Sequence, residues 1–150
     1  MTRQPNSSTS APVATLAADL RVVCGKLARR LREEGSVGDL TGSQMKVVSR
    51  LERDGPATVS ALAQAEGIRP QSMGATVSAL KAAGLISGMA DPADGRQTIL
   101  SLTSACRESI RAARAAREDW LMQAIRTRLK PEEHAQLAAA IELLERLIGA

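Results

Sequence analysis

Asp91, Asp94 and Arg96 stand around Pro92 and Gly95 in the stretch DPADGRQTILSLT. Pro and Gly shape a tight tip, the carboxylates can accept backbone or guanidinium hydrogen bonds, and the arginine is held outward as an anion-binding group. A second set lies upstream, where Arg69 and Pro70 precede Gln71, Ser72, Ala75 and Ser78. Small amide and hydroxyl side chains at that spacing suit hydrogen-bond reading of another molecule's edge. Catalysis is not expected. The chain has one histidine, His134, no tyrosine, no clustered carboxylates beyond helix starts and no phosphate-cradling glycine loop, so no reacting constellation can be assembled. Cys24 and Cys106 lie 82 positions apart and outside any CxxC pairing, which argues against a disulfide framework, a closed zinc site or a metal sensor. No metal and no cofactor is expected.

Hydrophobic spacing places these groups on a mainly α fold with a small β-hairpin wing, of α+β class. Leu16, Leu20, Val23, Leu27 and Leu31 recur at three- and four-residue intervals, predicting a helix over 13–34. GSVGD ends it. Thr41 and Gln44 form a capping box for a second helix, in which Met45, Val48 and Leu51 face inward. After DGPAT, Thr58 caps a short helix closed by Gly67, and Pro70 opens another that runs to about Ala83. Gly84 stops it, and LISGMA and RQTILSL make two short strands around DPADG, the second with Thr98, Leu100 and Leu102 on one side. Thr103 or Ser104 caps a long helix to about Arg128. LKPEEHAQL opens the last one, where Leu137, Ile141, Leu144 and Ile148 repeat at four, three and four as a seam for another helix.

Composition bounds the partners. A chain of 150 residues suits one domain: residues 1–12 read as a disordered tail and 13–150 as a single domain. No apolar run approaches the roughly 18 residues of a membrane span, and the opening residues lack the apolar stretch of a secretion signal, so a cytoplasmic protein is expected. Trp120 is the only aromatic side chain, which removes the stacking platforms that single-stranded nucleic acids require. Net charge is +4, yet residues 41–103 hold six basic side chains against five acidic ones. An anionic partner must therefore be met by placement rather than by bulk charge.

Two short helices joined by a tight turn and followed at once by a hairpin describe a winged helix-turn-helix over 41–103, whose second short helix fits a major groove. Met73, Val77 and Leu80 form its inward stripe, turning Gln71, Ala75 and Ser78 outward with Ser72 and Gly74 on the flanks. Small side chains let such a helix sit deep; Gln71 can pair with an adenine and Ser72 with bases or phosphate. From the wing, Arg96 is placed to reach a narrow minor groove with Asp94 orienting it. Thr58, Arg69 and Lys81 are candidate contacts to the DNA backbone. Arg107, Arg111 and Arg114 read as a solvated face, His134 as a surface residue, and Cys24 and Cys106 as small buried side chains.

Taken from LTGSQMKVVSRLERDGPATVSALAQAEGIRPQSMGATVSALKAAGLI through DPADGRQTILSLT to LKPEEHAQL, most of the chain resembles the MarR family of bacterial transcriptional regulators. The Leu-Thr opening of the second helix, the ALA of the third, the L..AGLI leaving the fourth and the Asp-x-Arg wing with its Leu-x-Leu-Thr exit carry the likeness in order. The resemblance implies a homodimer interlocked through its first and last two helices, two winged domains on a palindromic double-stranded operator, repression, and in many members release by a small-molecule effector. Ser87, Gly88 and Met89 depart from it where charged or basic residues are common, which implies a weaker minor-groove grip. Ala75 occupies an outward position where relatives carry a basic side chain, so no operator sequence is carried over. Relatives that sense oxidants pair a first-helix cysteine with tyrosines, and this chain has none.

The dimer also follows from area. A long first helix and a final helix pair offer more apolar surface than a winged domain of about 60 residues covers, so a second copy is the natural cover. Leu16, Leu20, Trp120, Leu137, Ile141, Leu144 and Ile148 are expected at that interface. An effector cleft would be aliphatic, with Trp120 as its only ring. The competing reading is a winged-helix interaction or architectural module that does not read DNA sequence.

Overall fold

The computed structural model describes residues 10–149. The elements are α1 (Ser10–Glu34), α2 (Gly42–Asp54), β1 (Ala57–Thr58), α3 (Val59–Glu66), α4 (Pro70–Ala82), β2 (Ile86–Ala90), β3 (Thr98–Leu102), α5 (Ser104–Arg128) and α6 (Pro131–Ile148). Residues 1–9 of the expected tail lie outside the described residues, and α1 takes in its last three positions. The chain divides into two compact units: Ser36–Arg114, and the segments up to Gly35 and from Ala115 onward.

In the winged unit, local chemistry sets the element boundaries. The Thr41 hydroxyl accepts the Gln44 N–H at 3.2 Å, while the Gln44 side-chain oxygen accepts the Thr41 N–H at 2.9 Å. Each satisfies an orphan donor of the first turn of α2. Thr58 caps α3 by accepting the Ala61 N–H at 3.1 Å, and Gly67 closes it at φ 65°, a left-handed conformation that glycine adopts without strain. Thr103, one of the two expected caps of α5, accepts the Cys106 N–H at 3.1 Å and donates its hydroxyl to Gly84 at 2.7 Å. It thereby ties α5 to the exit of α4.

The wing is part of a three-stranded antiparallel sheet in the order β1-β3-β2. Two residues of β1, which have no periodicity to betray them, pair Ala57 with Leu100 and Thr58 with Ile99, where residue type alone predicts a loop. The hairpin aligns Ile86 with Leu102, Gly88 with Leu100 and Ala90 with Thr98. Leu100 and Leu102 are buried as expected, whereas Thr98, on the same side but near the tip, is exposed.

The core joins Val47, Val48 and Leu51 of α2, Leu62 of α3, Met73, Val77 and Leu80 of α4, and Ile86, Leu100 and Leu102 of the sheet. Full burial of such a side chain contributes about 1.5–3 kcal/mol. Met45, expected inward, is only half-buried, and its place is taken by Val47. Helix α2 packs against both α4 and β3, so its apolar face is wide enough to bury two adjacent positions. Cys106 is fully buried in this core, and that burial pushes its thiol pKa up.

The helical unit contains α1, α6 and the C-terminal part of α5. Among the described residues, every buried apolar side chain lies in the winged unit. Cys24, expected to be buried, is exposed on α1, because nothing in its own unit covers that face. The half-buried Trp120 ring has the guanidinium carbons of Arg30 and Arg128 at 5.3 and 6.0 Å from its centroid, within cation–π range. Arg117 donates to the Gly35 carbonyl at 2.8 Å, joining α5 to the end of α1.

Candidate nucleic-acid interface

Helix α4 separates its faces by burial. Met73, Val77 and Leu80 are buried, while Gln71, Ser72, Ala75 and Ser78 are exposed and Gly74 is intermediate. The exposed face is short-chained throughout, so the helix backbone can approach a flat or grooved partner closely. Its N-terminus is prepared in the same sense. Arg69 occupies the N-cap in extended conformation without a side-chain capping bond, and Pro70 fills the first turn, where its missing N–H costs nothing. The remaining first-turn N–H groups and the helix dipole favour an external anion there.

Electrostatics sort the near-balanced charge of the winged unit into two populations. Arg50 reaches Glu66 at 2.8 Å and Asp54 at 3.3 Å, Arg53 reaches Asp54 at 3.0 Å, and Arg114 reaches Glu52 at 3.0 Å. The hydrogen bond from Arg53 holds the Asp54 carboxyl below its ordinary pKa, and Asp54 returns the effect by raising that of Arg53. These pairs consume three of the five carboxylates between 41 and 103. The other two serve the wing turn: Asp91 accepts the Ala93 N–H at 2.8 Å, and Asp94 accepts the Arg96 N–H at 3.1 Å.

Lys46, Arg69, Lys81 and Arg96 are thus left without a carboxylate partner among the described residues. Asp94 meets Arg96 through the backbone N–H, one of the two bonds open to it, and no guanidinium contact is made among the described residues. The Arg96 side chain is exposed at the wing and unneutralised. Arg69 stands at the start of α4 and Lys81 in its last turn. Thr58 is half-buried with its oxygen engaged as a helix cap.

Lys46 lies on the exposed side of α2, where the hydrophobic spacing of that helix gives no signal. With Ser43 and Thr76 it lines a cavity of about 70 Å³ beside α4. Arg111 pairs with Glu108 at 2.6 Å, in keeping with a solvated face, but Arg114 ties α5 to α2. A partner 62 positions away leaves no local pattern. His134 is exposed on α6.

A buried three-helix core, a flanking sheet and an exposed short-chained helix define a winged helix-turn-helix protein. The sequence profile of the MarR family matches residues 40–98. The uncharacterized HTH-type transcriptional regulator ML2140 of Mycobacterium leprae is 34% identical over 135 residues, covering 90% of this chain and 94% of that one. Among solved structures, a transcriptional regulator from Pseudomonas aeruginosa superimposes with a TM-score of 0.77 at 38% identity, covering 91% of this chain and 96% of the other. A MepR variant from Staphylococcus aureus bound to an oligodeoxyribonucleotide shares the fold, with a TM-score of 0.68 at 20% identity over 88% of this chain and 97% of that one. The chain belongs to the MarR family of transcriptional regulators; it is a DNA-binding regulator and not an enzyme. None of its described helices is long and apolar enough to cross a membrane.

Proposed function

We infer that this protein is a sequence-specific repressor that binds a palindromic double-stranded operator as a homodimer and is released by a small molecule. The carrying observation is the exposed face of Gln71, Ser72, Ala75 and Ser78, in a unit whose uncompensated cations include Arg69 at the start of that helix and Arg96 on the wing. In this reading α4 enters the major groove, Gln71 and Ser72 contact base edges, and Arg96 reaches into the minor groove. Arg69, Lys81, Thr58 and Lys46 meet phosphates. The pairing of Arg50, Arg53 and Arg114 with carboxylates supports this reading despite the near-balanced charge, because Lys46, Arg69, Lys81 and Arg96 keep no carboxylate partner among the described residues.

A second copy supplies the cover that the helical unit lacks. Leu16 and Leu20 of α1 with Ala140, Leu143, Leu144 and Leu147 of α6 line an apolar groove of about 460 Å³. Ile141 and Ile148 are exposed on α6, and Leu137 and Trp120 are half-buried. For the two α4 helices of such a dimer to enter successive major grooves they must fall about 34 Å apart. Effector release is supported by a cavity of about 380 Å³ in the winged unit, lined in part by Val37, Leu40 and Leu85 and by Ala79, Leu80 and Ala83 around the end of α4; Trp120, the ring expected in an effector cleft, is not among its lining residues. A ligand seated there would bias the position of the reading helix.

Selection of bound duplexes from a random pool, with the mass of the protein measured in solution, tests the reading. A palindromic consensus bound by a dimer is expected. Arg96→Ala should then weaken binding across all sequences, and Gln71→Ala should cost about 1–3 kcal/mol mainly at one base position. No enriched sequence, or binding by a monomer, would replace the regulator with an interaction module.

A further inference from the structure

Strand β2 carries a glycine that its backbone does not require. Gly88 lies mid-strand opposite Leu100, and the described glycines with positive φ are elsewhere, at positions 38, 55, 67, 84 and 149. A glycine inside a strand forgoes side-chain packing and often marks a close approach by something else. Here the approaching group is visible. A Cβ on Gly88 would lie 2.6 Å from the Thr98 Cγ2 methyl, 2.9 Å from Lys81 Nζ and 3.2 Å from Lys81 Cε. The lysine of the last turn of α4 therefore lies across the bare strand, with its ammonium against the hairpin. It finds no carboxylate there, since β2 reads Ile86, Ser87, Gly88, Met89 and Ala90 and offers neither an acid nor a cation of its own. The exposed ammonium, without a carboxylate partner among the described residues, is available to an anion from outside the chain.

We propose that Gly88 is a positioning residue for DNA binding: by leaving β2 bare, it lets Lys81 cross from the reading helix to the wing and present its ammonium to a backbone phosphate. Arg96 then serves the wing tip and Lys81 the strand behind it. The inference rests on the DNA-binding reading above. It makes the absence of a side chain at position 88 as consequential as the presence of one at position 81. Adding a methyl at Gly88 would evict the ammonium and press on Thr98.

The test measures affinity against salt for the full-length protein, the Lys81→Gln and Gly88→Ala variants and their double variant, each on a random duplex and on the selected operator. Each single variant should lower the magnitude of the slope of log K against log salt by about 1 per bound protomer. The double variant should lower it no further, because both changes remove the same contact. Unchanged slope in Gly88→Ala, or a further loss in the double variant, would overturn the proposal. If Gly88→Ala fails to fold, Gly88→Ala with Thr98→Ser takes its place, since the serine removes the methyl that the new Cβ meets. Wild-type protein that does not prefer the operator would overturn the repressor reading, while slopes on the random duplex would still decide the role of Lys81.

Discussion

The winged unit and the helical unit both carry apolar stripes on helices and show opposite kinds of burial. In the winged unit α2, α3 and α4 converge on one core and bury Leu62, Leu80 and Leu100 completely. In the helical unit the comparable aliphatic residues are open, with Leu16 at 68%, Leu147 at 70% and Ile148 at 80% of full exposure. Sequence hydrophobicity does not distinguish the two, since both carry apolar side chains at helical spacing. The difference is one of closure: the first unit contains the partners of its own apolar stripes, and the second does not. A reading head must hold its helix rigidly whatever it meets, whereas a helical arm can leave its apolar face for a second chain.

That contrast can be broken first in the core. Leu80→Ala should destabilise the winged unit by about 2–5 kcal/mol, the usual cost of a cavity at a fully buried leucine, measured by denaturant unfolding followed at equilibrium. Its mass in solution should remain that of wild type under native conditions. Leu147→Asp should do the reverse. By placing a charge in the α6 groove it should weaken the proposed dimer by about 2 kcal/mol or more, roughly thirty-fold in Kd, as read by sedimentation across a dilution series. Loss of stability without change of mass in the second variant would show that the groove serves the protomer itself.

Sequence reading recovered what local chemistry decides. The Thr41 and Gln44 capping box, the Thr58 cap, Pro70 at the start of α4 and the division of α4 into buried and exposed faces all follow from residue type and spacing, and all are present in the structure. Features decided by distant partners were not legible. Strand β1 exists only because β3 offers Leu100 and Ile99 to pair with, and the burial of Val47 depends on α2 touching two elements at once. Residue type left Asp94 either the backbone or the guanidinium of Arg96, and a carboxylate two residues before an N–H in a tight turn finds the backbone first. The exposure of Cys24 has the same origin as that of Leu147: burial belongs to the surroundings, and residue type only makes it desirable. At the candidate interface the outward face of α4 could be read from periodicity. The sorting of charges could not, because Arg114 meets Glu52 and Arg50 meets Glu66 across long stretches of chain.

The smallest effect expected is also the one that most sharpens the contrast. Thr41→Ala removes the hydroxyl that accepts the Gln44 N–H and leaves the Gln44 side chain with half of a reciprocal pair. Loss of such a cap costs about 1 kcal/mol. The cap belongs wholly to the winged unit, so the loss should appear as a lower denaturant midpoint, with dimer dissociation unchanged along the dilution series used for Leu147→Asp. Serine restores the accepting oxygen, and Thr41→Ser should recover most of the stability. If Thr41→Ala instead shifted the dimer equilibrium, the two units would be thermodynamically coupled. Strain at the start of α2 would then be felt by α1 and α6, and the division between a self-contained reading head and a partner-dependent arm would have to be abandoned.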